Sequence, residues 1–180
     1  ELVLGVQPDL DARTASFYKQ HGVRTVVVSP EETASAVHPK AVRYLKYAEW
    51  MAAMAPGTRV LLTDARDVLF QADPFGAAWE RHDIQFFAEL GKMRDYKVNI
   101  EWVRRCWRPR KPAAWWAERT LINSGVMLGT AEALGRVVKA VYAEIEQHPK
   151  CFPASDFHDQ GFLNYAYHAL EAFPGARLSE

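Results

Sequence analysis

Arg59-Val60-Leu61-Leu62-Thr63-Asp64-Ala65-Arg66-Asp67-Val68-Leu69-Phe70 is an apolar run that ends in two carboxylates three residues apart and then turns apolar again. Val60 to Leu62 has the composition of a strand covered on both faces of an α/β sheet, and ligands of such sheets gather at the carboxyl ends of the strands. Asp64 and Asp67 fall at such an end. Residues three apart on a continuous strand face opposite sides, so both acids can serve one ion only if the chain turns directly after Asp64. Hard cations such as Mg²⁺ and Mn²⁺ favour oxygen ligands, and substrate phosphates commonly complete the shell of Mg²⁺. A plainer reading is that Asp64 caps a short helical turn while Asp67 pairs with Arg66 or Arg59.

A chain of 180 residues suits one domain with a sizeable core. Its 49% hydrophobic and 24% charged residues exclude the disordered and fibrous classes. The 22 basic and 22 acidic residues cancel, which argues against a dedicated nucleic-acid binder and leaves Arg104 to Lys111 as the one basic patch. No apolar stretch approaches the roughly 20 residues of a membrane span, and the first residues lack the segments of a signal peptide. The expectation is a soluble chain without a membrane span, placed in the cytoplasm. Cys106 and Cys151 permit one internal disulfide or two buried thiols, and fit no zinc-ligand spacing.

Outward from the acidic run, the chain alternates. Glu1 to Val6 reads as a strand, Asp11 to His21 as a helix capped by Asp9 or Asp11, and valine-rich Thr25 to Ser29 as a second strand. Pro39 to Ala55 reads as a helix with Val42, Leu45, Ala48 and Ala52 at helical spacing, ended by Pro56-Gly57. This β-α-β alternation predicts an α/β fold with a mainly parallel sheet. Asp73-Pro74-Phe75 offers a helix start and Ile84 to Ala88 a strand. Gly91 to Arg119 has no sustained period and is rich in basic and aromatic residues, among them Trp102, Trp107, Trp115 and Trp116. It reads as an irregular excursion or a pair of short helices, serving either as a lid or binding loop or as a seal on one core edge. Leu121 to Met127 resumes strand character. Thr130 then caps a helix with the stripe Leu134, Val137, Val138, Val141 and Ile145, and a last helix opens at Ser155 or Asp156 with Asp159 and Gln160 in its first turn.

Four polar clusters lie at element edges, in order: Arg43 with Lys46, Asp64 with Asp67, Asn123-Ser124-Gly125, and Asp159-Gln160-Gly161-Phe162-Leu163-Asn164. This order resembles the GT-A fold glycosyltransferases that use sugar nucleotides, most nearly the family 8 type and its relatives, over nearly all of the chain outside residues 91–119. The family's usual D-x-D is here D-x-x-D, the form of collagen glucosyltransferase domains. The resemblance implies a Rossmann-like α/β domain over residues 1–180 that moves a sugar from a nucleotide diphosphate donor, a UDP-sugar, to a carbohydrate, lipid or protein acceptor. Asp64 and Asp67 would hold Mn²⁺ or Mg²⁺ against the diphosphate, with Asp64 also in reach of the donor. Arg43 and Lys46 would reach the donor sugar or diphosphate, against the alternative of a solvated basic face. Asn123 and Ser124 would bond sugar hydroxyls beside the close-approach Gly125, which a plain β-bulge would also explain.

Asp159 and Gln160 would stand at the anomeric carbon, the acid holding a hydroxyl or acting as base and the amide orienting the reacting centre. His158 and His168 read as structural. The unit before residue 30 matches the family's second strand, helix and third strand, so its first, base-binding strand has no counterpart, and its later strands have none after the Asp-Gln helix; the resemblance implies an incomplete domain. Two other classes stay open: a nucleotidyltransferase, whose glycine-rich basic loop is missing from the sequence, and a non-catalytic carbohydrate-binding or scaffolding domain on the same fold.

Overall fold

The computed structural model describes residues 1–6, 8–29, 41–65, 68–76, 82–107, 111–149, 151 and 159–179. The chain forms two compact units, Glu1–Arg43 and Tyr44–Glu180.

In the first unit, β1 (Leu2–Val6) and β2 (Val23–Val27) pair in parallel, from Leu2 opposite Val23 to Val6 opposite Val27, with α1 (Ala12–Gln20) between them in the chain. The expected β-α-β unit is therefore present, its second strand starting two residues earlier than the valine run indicated. Asp11 is the N-cap: its Oδ1 accepts from the Thr14 amide at 2.9 Å and its Oδ2 from the Thr14 hydroxyl at 2.7 Å. These bonds hold the carboxyl below its ordinary pKa.

The second unit contains β3 (Arg59–Thr63), β4 (Ile84–Lys92), β5 (Thr120–Thr130) and β6 (Arg177–Ser179), in the spatial order β3-β5-β4-β6. Its helices are α3 (Lys97–Trp107), α4 (Ala113–Ala117), α5 (Ala131–Gln147) and α6 (Asp159–His168), and α2 (Val42–Ala52) begins at the boundary of the units. β4 and β6 are parallel, whereas β5 runs antiparallel to both β3 and β4, so the sheet is mixed and not simply parallel. The connection from β4 to β5 explains the reversal. Lys92 pairs with Thr120, and the Met93 amide donates to the Arg119 carbonyl at 2.9 Å, so the excursion returns to where it left. It is an insertion into a long hairpin, and a hairpin reverses the chain.

The insertion holds a pair of helices, one of the two forms expected, after a 3₁₀ turn at Met93–Asp95. Trp102, Trp107 and Trp116 are buried, and Trp107 stacks on Tyr165 of α6 with centroids 4.2 Å apart. Its indole N–H donates to Glu144 of α5 at 3.2 Å. These tryptophans seal the core edge; they do not form a lid. Asp73-Pro74-Phe75 makes a turn, with residues 77–81 outside those described. The start at Ser155 or Asp156 also lies outside the described residues, and so does His158.

Thr130 caps α5 as its sequence requires, its Oγ1 accepting from Ala133 at 3.2 Å. The stripe Leu134, Val137, Val138, Val141 and Ile145 is wholly buried, and α5 packs on α6, β5 and β3. Gly129 of β5 permits this approach, since a Cβ there would lie 2.6 Å from Leu134 Cγ. Along α2, Val42, Tyr44 and Met51 are buried, Leu45 and Ala48 are half-buried and Ala52 is exposed, so the expected stripe holds at Val42 and gives way to Tyr44 and Met51 farther along.

Cys106 of α3 is bonded to Cys151, 45 residues on, with Cα atoms 5.1 Å apart. Closing a loop of that length restricts the unfolded chain and stabilises the fold by about 4 kcal/mol. Reductant is expected to lower the unfolding free energy of the wild-type chain by that amount, and with it the denaturant midpoint, and to leave the Cys106→Ser variant, already destabilised, unmoved. A midpoint indifferent to reductant in both proteins would refute the bond's contribution.

His168 lies against the Thr120 carbonyl, 2.8 Å from its Nε2, which makes the ring structural. Burial lowers its pKa; the Thr120 bond opposes this, and the charges of Arg119 and Lys92 add to it. A histidine whose folded pKa is depressed stabilises fully above its unfolded value and loses that contribution as pH falls through about 6.5 toward the folded pKa. The wild-type Tm is therefore expected to fall more steeply between about pH 7.5 and 5.5 than that of His168→Gln. Parallel Tm curves would exclude His168 as the cause.

Candidate functional site

β5 carries a bulge whose cause is readable in its two ladders. Along β3 the register is unbroken from Arg59 opposite Thr130 to Thr63 opposite Val126, and the Asp64 amide adds one more bond to the Gly125 carbonyl at 2.8 Å. Along β4 the partners jump from Phe86–Met127 to Ala88–Ile122, so two steps on β4 match five on β5. The extra residues are those of Asn123-Ser124-Gly125-Val126, which leave the β4 ladder and present side chains and backbone at the end of β3. Bulges re-aim residues in this way beside functional sites.

The bulge is held by its own polar groups. Asn123 Oδ1 accepts from the Gly125 amide at 2.6 Å, and its Nδ2 donates to Glu89 Oε1 at 2.7 Å. Gly125 lies directly against Asp64: a Cβ on it would fall 2.5 Å from Asp64 Oδ2 and 3.1 Å from Asn123 Oδ1. Only a residue without a Cβ lets this carboxylate keep its position.

The first turn of α6 closes the other side. Asp159, 6% exposed, accepts from the Tyr44 hydroxyl through Oδ2 at 2.7 Å and from the Ser124 hydroxyl through Oδ1 at 3.4 Å. The Ser124 amide donates to Gln160 Oε1 at 3.4 Å. One turn on, Asn164 is fully buried; its Oδ1 accepts from the Ile122 amide at 2.9 Å, and its Nδ2 donates to the carbonyls of Ile122 at 2.9 Å and Gln160 at 2.8 Å. An inward amide thereby clamps α6 to the strand one residue before the bulge.

Of the residues singled out in the sequence, Asp64, Asn123, Ser124, Gly125, Asp159 and Gln160 meet in this cluster. Lys46 donates to Glu49 of its own helix at 3.0 Å. Arg43 is half-buried and is the last residue of the first unit. Asp67, the second expected metal ligand, lies outside the described residues, as does Arg66. Arg59 donates to the Phe75 carbonyl at 3.0 Å. Among the described residues no group of three or more His, Cys, Asp or Glu side chains could hold a metal ion.

Two members were missed, and a third, Asn164, stood in the Asp-Gln motif without an assigned role. Glu89 fell one residue beyond the expected strand end, and Tyr44 was hidden in an apolar helix pattern. Asn164 had the clearest signal, a lone amide in the apolar run from Gly161 to Ala166. Chemically the cluster joins carboxylates, amides and a hydroxyl on a rigid strand and helix, the donor and acceptor set that suits a polyhydroxylated ligand. No protein-family model matches the chain, and no curated protein matches it.

Proposed function

We propose that the chain is a GT-A type glycosyltransferase domain that transfers a sugar from a UDP-sugar to a carbohydrate, lipid or protein acceptor with Mn²⁺ or Mg²⁺. The reading rests on one observation: three segments far apart in sequence, around Asp64, Asn123 and Asp159, meet at one bulge with the residue types such chemistry uses.

The fit to a hard cation is supported by the glycine cradle. Gly125 leaves room for Asp64 Oδ2, an oxygen donor of the required kind, at the end of a strand. Asp64, with Asp67 from the sequence, would hold the ion. A divalent ion would supply Lewis-acid neutralisation of the charge developing on a diphosphate leaving group. The other roles belong to the chain. The Asn123 amide and Ser124 hydroxyl match sugar hydroxyls as acceptors and donors. Asp159, fixed by Tyr44 and Ser124, is oriented to hold a sugar hydroxyl or take the acceptor's proton, and Gln160 orients the reacting centre. Rate acceleration would come from positioning and leaving-group stabilisation.

One observation favours a second reading, sugar binding without turnover. Both oxygens of Asp159 are already engaged and the residue is almost wholly buried, as a structural carboxylate would be. Incubation with UDP-glucose and UDP-galactose, with Mn²⁺ and with chelator, separates the two. Metal-dependent release of UDP is the expected result. Turnover indifferent to chelator would sink the metal-assisted transferase, and saccharide binding without turnover would favour the second reading. Among the described residues no helix is long and apolar enough to cross a membrane. The Cys106–Cys151 bond favours an oxidising compartment over the cytoplasm expected from the sequence.

A further inference from the structure

The insertion between β4 and β5 contains a cleft of ≈ 460 Å³ that shares no lining residue with the cluster around Asp64. Its walls are apolar, formed by Val103 and Trp107 of α3 and by Pro112, Ala113 and Trp116 at α4. The indole N–H of Trp107 is already committed to Glu144. The two remaining lining side chains are cations, Arg104 and Lys111, both exposed. Among the described residues neither has a carboxylate partner; Lys111 lies 5.0 Å over the Trp115 ring, whereas Arg24, Arg94 and Arg136 are all in ion pairs. The surrounding sequence, Arg104 to Lys111, carries five basic residues and no acidic one in a chain of zero net charge.

This chemistry narrows the occupant. The lining offers no side-chain hydroxyl, amide or carboxylate to read sugar hydroxyls, so a neutral saccharide is poorly matched. An inorganic anion would use the cations and leave the apolar walls unfilled. A ligand that uses both carries an apolar group with negative charges beside it. We propose that the cleft is a docking site for an acidic peptide segment, one large apolar side chain entering the cleft and flanking carboxylates meeting Arg104 and Lys111. The proposal stands independently of the transferase reading.

The test is fluorescence anisotropy on the whole chain with the labelled pentapeptides EEFEE, EEEEE and KKFKK. EEFEE is expected to bind at least about tenfold more tightly than EEEEE, the scale of burying one phenylalanine side chain. KKFKK should not bind, and raising salt from about 50 to 500 mM should weaken EEFEE, because exposed charges are screened. The exposed double substitution R104E/K111E should weaken EEFEE at least about tenfold with an unchanged Tm, since surface exchanges away from packing cost little stability. Ala113→Glu, on the exposed rim, should weaken it as well. Equal affinity for EEFEE and EEEEE would overturn the proposal in favour of unspecific charge attraction. Binding unaffected by R104E/K111E and Ala113→Glu would overturn it by placing the peptide elsewhere. Binding of oleate or phosphatidylserine vesicles without EEFEE would overturn it in favour of a lipid.

Discussion

Replacement of Asn164 by leucine is expected to destabilise the protein by about 4 kcal/mol, because two buried backbone groups of one residue lose their partners together. Asn164 acts toward Ile122 as a neighbouring strand would: it accepts from the amide and donates to the carbonyl of the same residue, both at 2.9 Å. Asn164 and Ile122 are both fully buried, so water cannot replace the lost bonds. Leucine nearly conserves volume, which keeps the cost polar in origin and separates it from a cavity effect. Denaturant unfolding measures the loss. Because Ile122 precedes Asn123, any ligand affinity of the cluster should fall in the same variant. A loss below about 1 kcal/mol would mean that the clamp is not needed to hold β5 against α6.

Asp64→Asn is expected to lower metal-dependent UDP-sugar turnover by at least about 100-fold, the scale on which loss of one group stabilising transition-state charge is felt. Gly125→Ala should reproduce that loss without touching a polar atom. The added Cβ would meet Asp64 Oδ2 at 2.5 Å, and the softer partner, the carboxylate, must swing away. Gly125 is not among the glycines with positive φ, so alanine brings no backbone strain, and the stability cost should stay near about 1 kcal/mol. The double variant is the sharper measurement. If Gly125 acts only through Asp64, combining the substitutions should cost no more than Asp64→Asn alone, a departure from additivity typical of contacting residues. Full turnover by Gly125→Ala would break the link between the bulge and the acid.

Much of the fold was legible because it depends on short-range rules. The stripe of α5 and its Thr130 cap, the Asp11 cap and the strand before Asp64 follow from periodicity and capping chemistry, which act within a few residues. The α2 face was only partly legible, for the opposite reason. Its core orientation is set by Tyr44 reaching Asp159, 115 positions away, a contact that no local period encodes. The direction of β5 was hidden likewise, because an insertion as long as residues 93–119 resembles a crossover until its two ends are seen paired.

The candidate site divides along the same line. By itself the sequence determined which polar residues interrupt apolar elements: Asp64 at a strand end, Asn123-Ser124-Gly125 within a strand, and Asp159, Gln160 and Asn164 on one helix. Only the tertiary structure decided that these interruptions coincide, that Glu89 and Tyr44 join them, and that Asn164 braces the backbone and Lys46 pairs within its own helix. The reason is physical. Residue type and spacing specify which groups can form bonds, but a five-residue stretch of β5 set against two steps of β4 is fixed by sheet register and helix packing acting across the whole second unit.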